Sequence, residues 1–184
     1  MLDFVVSAKE IFNEETNEFI YTKEYKLQLE HSLISLQKWE SLTHKKFLSD
    51  LVPKTNDDIL LYIKCMTLNK VPDEVYKYLS NEEKNTIFKY INDPMTATVF
   101  NDINSKGEGN PLDSDKITAE IIYYYMVSYN IPMECRKWHL NQLLTLIRVC
   151  NIKNQPNKKI PINETINNYA AINARRRKQF NSRG

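Results

Sequence analysis

Glycine is nearly missing from this chain of 184 residues: there are three, at Gly107, Gly109 and Gly184. Phosphate-cradling loops, collagen repeats and many-turned β-sandwiches all draw on glycine's backbone freedom, so those classes lose most of their support. Cysteine is sparse and odd in number (Cys65, Cys135, Cys150). Each cysteine lies inside an apolar stretch, which suits a reducing compartment, the cytoplasm, better than a disulfide framework. Long hydrophobic runs are also lacking: the longest, Ile121 to Val127, is far short of the roughly 20 residues that a membrane-spanning helix needs. The opening MLDFVVSAKE has no basic segment followed by an apolar one, so neither a signal peptide nor a membrane location is expected.

What is present is the make-up of a folded globule, with 42% apolar and 11% aromatic residues in a length that favours one folding unit. Lys and Arg total 25 against 23 Asp and Glu, and this near balance hides an asymmetry. From Arg148 to Gly184 nine basic residues face the single acid Glu164, a net +8, which leaves −6 on the first 147 residues. Such a tail can fold back on its own body or seek an acidic partner.

The periodicity predicts an α+β, mainly α-helical fold with an N-terminal β-hairpin packed on a helical bundle. Over 1–31, Phe4, Val6 and Ala8, then Phe19, Tyr21, Tyr25, Leu27 and Leu29, recur at even spacings, with Asn13 to Glu18 as the turn. A lone hairpin is marginal in water, so it should lie against the helices that come after it in the chain. Residues 32–154 read as helical. Leu33, Leu36, Trp39 and Glu40 mark a first helix, and Thr55 caps a second that carries Asp57 and Asp58 in its first turn. Pro72 opens a short segment, and Ser80 with Glu83 forms a capping box before Ile87, Phe88 and Ile91. A loop is expected at about 101–114, where both interior glycines stand beside Pro111. Beyond it, Asp115 should cap a helix from Lys116 to about Asn130, and Pro132 should start the longest helix, to about Asn154. This pair carries the densest apolar content and is expected at the centre. Residues 155–184 form a basic C-terminal tail, with a weak amphipathic segment at Ile162, Ile166, Tyr169 and Ala170.

Chemistry-bearing groups are few. Cys135 and His139 stand four apart on the predicted helix and would project together, yet two ligands do not make a metal site, and His31, His44, Cys65 and Cys150 supply no close-spaced partner. The same two residues as a nucleophilic pair lack any nucleophile turn. Glu120, between Ile117 and Ile121, is a candidate carboxylate of raised pKa, against the plainer reading of an edge residue paired with a neighbouring base. No catalytic residue, metal or cofactor is therefore expected. Arg175, Arg176, Arg177 and Lys178, with Phe180 nearby, form a basic cluster that could track a phosphate backbone, but no reader motif accompanies it and the body is acidic, which disfavours nucleic acid. Tyr123, Tyr124 and Tyr125 with Tyr129, Trp39 and Trp138 are mostly core material. Three adjacent tyrosines cannot point one way on a helix, so at least one should be exposed or interfacial. The candidate partner-binding residues are Tyr124, Tyr125, Tyr129, Arg175, Arg176, Arg177 and Lys178.

Five stretches together resemble a known family. LQLEHSLISLQKWESLTHKKFL (Leu27 to Leu48), LLYIKCMTLN (Leu60 to Asn69), KYINDPMTATVF (Lys89 to Phe100), ITAEIIYYYMVSYNIPMECRKWHLNQLLTLIRVCNIKN (Ile117 to Asn154) and the ending AINARRRKQFNSRG resemble the tail assembly chaperones of tailed bacteriophages. The resemblance implies a non-catalytic protein of the host cytoplasm that binds the long, helical, aggregation-prone tape measure protein and leaves as the tail tube polymerises around it. The alternative it leaves is a structural component of the tail or baseplate hub, found in the virion. A homo-oligomer is compatible with either role.

Overall fold

The computed structural model describes residues 1–13, 17–100, 116–154, 172–173 and 176–177. It confirms an α+β, mainly helical fold. Alternation in the first thirty residues produces one long β-ribbon in a constant antiparallel register. Strand β1 (Leu2–Val6) pairs with β4 (Tyr25–Leu29), from Leu2 opposite Leu29 to Val6 opposite Tyr25. Strand β2 (Glu10–Asn13) pairs with β3 (Glu18–Tyr21), from Glu10 opposite Tyr21 to Asn13 opposite Glu18. Between the two halves the Thr22 N–H donates to the Lys9 carbonyl, while the Thr22 hydroxyl accepts the Lys9 N–H, both at 2.8 Å. The outer edge of β4 is also covered. Asn69 imitates a strand there, accepting from the Gln28 N–H at 2.8 Å and donating to the Lys26 carbonyl at 2.7 Å, which removes an open edge for aggregation.

Only the base of the ribbon is buried. Val6, Leu27 and Leu29 enter the core, but Phe19 and Tyr21 are exposed, 57% and 72% respectively, although they continue the same alternation. The expectation of one half-buried face is corrected here. Alternation sets which side a residue faces, and burial also requires an element on that side.

Six α-helices follow among the described residues up to 154: α1 (Leu33–Thr43), α2 (Asn56–Met66), α3 (Glu74–Lys77), α4 (Asn81–Ile91), α5 (Ala119–Ser128) and α6 (Leu140–Asn154). Capping boxes start α1 (Ser32 with Ser35), α2 (Thr55 with Asp58) and α4 (Ser80 with Glu83), so each of these begins on a signal within its own sequence. Among the described residues, no helix is long and apolar enough to cross a membrane.

Among the described residues, two hydrophobic clusters form the interior. One gathers Leu27 and Leu29 of the ribbon, Trp39, Tyr62, Met66 and Ile87. The other gathers Leu33, Leu36, Ile122, Met126, Leu143 and Ile147. Helix α1 serves both, with Leu33 and Leu36 turned to the second cluster and Trp39 to the first. The expected central position of α5 and α6 is thus corrected: α1 is the shared element, because it presents large apolar residues on two sides.

Two helix starts also differ from expectation. Helix α5 begins at Ala119 after Thr118, not at Lys116. No continuous helix runs from Pro132; a short 3-10 helix, Met133–Lys137, ends at Trp138, whose backbone is extended (φ −67°, ψ 162°). The Leu140 N–H then donates to the His31 carbonyl at 2.7 Å rather than to the preceding turn. That tertiary bond cuts the helical pattern in two. The structure divides into two units, Met1–Asn151 and Ile152–Gly184. In the second, the described residues 152–154, 172–173 and 176–177 are helical and exposed. The loop expected at about 101–114 and the amphipathic segment at Ile162 to Ala170 lie outside the described residues.

Candidate partner-binding surface

Helix α1 buries Leu33, Leu36 and Trp39, and its other side carries Ile34, Lys38 and Leu42 at spacings of four, which form a stripe. Helix α2 likewise buries Tyr62, Ile63 and Met66 and leaves Leu61, Lys64 and Cys65 on its flank. The two flanks meet in an open groove of about 820 Å³. Its walls are apolar, with Leu42 64% exposed and Ile34, Leu61 and Cys65 half-buried. Among the described residues, no acidic side chain lines it. Lys64 donates to Asp73 at 2.7 Å, and burial pushes the Cys65 thiol up, opposed by Lys38 and Lys64.

The groove connects to α5. Gln37, on its rim, accepts a hydrogen bond from the Tyr123 hydroxyl at 3.1 Å. Tyr124 is 66% exposed, and Val127, three residues further along the same helix, is exposed as well. Tyr125 and Tyr129 are half-buried, stacked at 6.0 Å between ring centroids, and the Tyr129 hydroxyl donates to Asn151 at 3.1 Å. Of the three tyrosines singled out by sequence, Tyr124 alone offers most of its ring to solvent. Of the basic cluster, Arg176 and Arg177 are exposed, while Arg175 and Lys178 lie outside the described residues.

A second exposed apolar face lies on the outer ribbon. Phe12 and Phe19 are cross-strand partners with ring centroids 5.1 Å apart, and beside them the Tyr21 hydroxyl donates to Glu10 at 2.8 Å.

Sequence reasoning missed two arrangements in the interior. The first is a run of rings joining α2 to α4 through residues that flank α1 and precede α6. Phe47 stacks on Tyr62 at 3.6 Å, Tyr62 meets His31 at 5.8 Å, His31 meets His139 at 4.9 Å and His139 meets Tyr90 at 5.0 Å. His31 Nδ1 and the Tyr62 hydroxyl are 2.7 Å apart. His139 Nε2 lies 3.0 Å from the Tyr90 carbonyl; a carbonyl only accepts, so this nitrogen carries the proton. His139 Nδ1 has no hydrogen-bond partner among the described residues. Burial drives His31 down to about 3, with His139 adding to the effect, and burial also lowers His139. Both rings are therefore neutral near pH 7.

The second is Glu40. Its carboxylate accepts the Phe47 N–H at 3.2 Å and the Ala119 N–H at 2.8 Å, so a residue of α1 caps α5, whose own Thr118 makes no side-chain cap bond. Burial pushes the Glu40 carboxyl up, and these two N–H groups pull it back. Glu120 is exposed, which agrees with the plainer reading of an edge residue and not with a buried carboxylate. Cys135 and His139 do not share a helical face, since one is in the 3-10 helix and the other precedes α6. Among the described residues, no three His, Cys, Asp or Glu side chains gather as metal ligands would.

Comparison with known proteins finds no family model, no curated protein and no solved structure that matches this chain.

Proposed function

We propose that this chain is a bacteriophage tail assembly chaperone, a non-catalytic protein that holds the tape measure protein in the host cytoplasm before tail polymerisation. The family is supplied by the sequence resemblance. The observation that carries the holding role is the open apolar groove between α1 and α2, bounded by lysines and tied at its Gln37 rim to Tyr123 of α5. A holdase works by offering apolar area to a client while surrounding charge keeps the complex dispersed. Helix-in-groove recognition reads anchors at i, i+3, i+4 and i+7, which a long helical client such as a tape measure protein presents repeatedly. Tyr124, exposed on α5, offers a further ring suited to an interface.

Co-expression with the tape measure protein tests the reading. The expected outcome is a tape measure protein that stays in the supernatant and elutes in a complex only when this chain is present. Equal recovery without it overturns the proposal, and purified virions containing the chain in stoichiometric amount would assign it a structural role in the tail.

A further inference from the structure

The α1–α2 groove has dimensions and charge that specify its occupant more narrowly. Ile34 and Leu42 are eight residues apart on one face of α1, which at 1.5 Å per residue is about 12 Å, or roughly two helical turns. An amphipathic helix spans nearly the same distance from its anchor at i to that at i+7. Among the described residues, two lysines and no carboxylate line the groove. Lys64 already holds Asp73, whereas Lys38, exposed at mid-stripe, has no carboxylate partner among the described residues. An incoming carboxylate would meet an unneutralised ammonium there, and an incoming base would meet like charge.

We propose that the groove seats about two turns of an acidic amphipathic helix, its apolar residues between Ile34, Leu42 and Leu61 and a carboxylate opposite Lys38. The assignment rests on the reading of the chain as a holder of helical clients, and it names the kind of client segment the groove selects.

Cys65 in the groove wall makes the test direct. The intact chain is alkylated with iodoacetamide, and the rate at each cysteine is followed by peptide mass spectrometry, with half-buried Cys150 of the other cluster as internal reference. The probes are two synthetic helices of about 15 residues, both with leucines at i, i+3, i+4 and i+7, one flanked by glutamates and the other by lysines. The glutamate peptide is expected to protect Cys65, and not Cys150, at a concentration about fivefold lower than the lysine peptide, the scale of one exposed ion pair. Lys38→Glu should erase or invert that ratio, and Leu42→Ser should weaken both peptides. Both positions are exposed, and unchanged circular dichroism would show that the variants keep the fold.

Equal protection by the two peptides, or protection by neither, overturns the proposal. So does protection of Cys65 that grows with the concentration of the chain alone, which would make a second copy the occupant. Co-expression separates this from the wider reading. If wild type and the Lys38→Glu, Leu42→Ser double variant keep the tape measure protein equally soluble, the groove assignment fails and the chaperone reading stands. If wild type has no effect on it, the chaperone reading fails and the peptide ratio alone decides the groove.

Discussion

Glu40 accepts two backbone N–H groups, those of Phe47 and Ala119, and Glu40→Gln turns one of those contacts into donor against donor. We expect a loss of about 1 to 3 kcal/mol in urea denaturation; an unchanged midpoint would mean that α5 does not depend on this cap. The two histidines set the acid limb. The unfolded chain binds protons near pH 6.5, whereas buried His31 resists them down to about 3. Between those values the unfolded state carries more protons, so stability is full above pH 6.5 and falls as the pH is lowered, by about 1.4 kcal/mol per unit for His31. His139 acts with the same sign. Glu40, held above its ordinary value, gains protons in the fold first and opposes the fall as the pH drops toward 4.5. Asp58, held down to about 2 chiefly by Lys45, contributes stability above 3.8 that disappears only under stronger acid. A urea midpoint lower at pH 5 than at pH 7 is the expected result, and equal midpoints would contradict it.

At the scale of elements, burial decides which helix positions matter. Leu143 is fully buried in α6, while its neighbour Leu144 is only half-buried. Leu143→Ala is therefore expected to cost about 2 to 5 kcal/mol and Leu144→Ala distinctly less, a difference that thermal unfolding of the two variants would measure. Helix α1 offers the sharper comparison because it serves both clusters. Leu36→Ala removes a side chain with no exposure, and Leu42→Ala one that is mostly exposed. The first should lower the midpoint strongly and the second by no more than about 0.5 kcal/mol. Equal effects would contradict the assignment of the groove-facing stripe as free surface.

For the whole molecule, the long-range term is the separation of charge, −6 up to residue 147 and +8 beyond. If the basic tail steers an acidic client, Arg176→Ala with Arg177→Ala should slow association with the tape measure protein and leave dissociation nearly unchanged. Raised salt should do the same, since screening acts over about 8 Å at physiological ionic strength. Substitutions at Leu42 or Leu61 should instead speed dissociation. Surface-based kinetics at two salt concentrations would separate the effects, and a change confined to the dissociation rate would contradict the steering role of Arg176 and Arg177.

Local sequence was enough to set the strands, the mainly helical class and the starts of those helices that carry their own signals. Thr55 with Asp58 and Ser80 with Glu83 are three residues apart, and the hydrogen bonds they make are closed within one turn, so no distant partner is needed to recognise them. Packing in three dimensions set the rest. Helix α5 starts where Glu40 reaches its first N–H from 79 residues away, and α6 starts where the His31 carbonyl takes the N–H of Leu140. Packing also leaves Phe19 and Tyr21 exposed while Leu27 and Leu29 are buried, turns Glu120 to water, and lines a groove with Ile34, Lys38 and Leu42. Each of these depends on which element lies opposite, and periodicity along one segment carries no record of its neighbour in space.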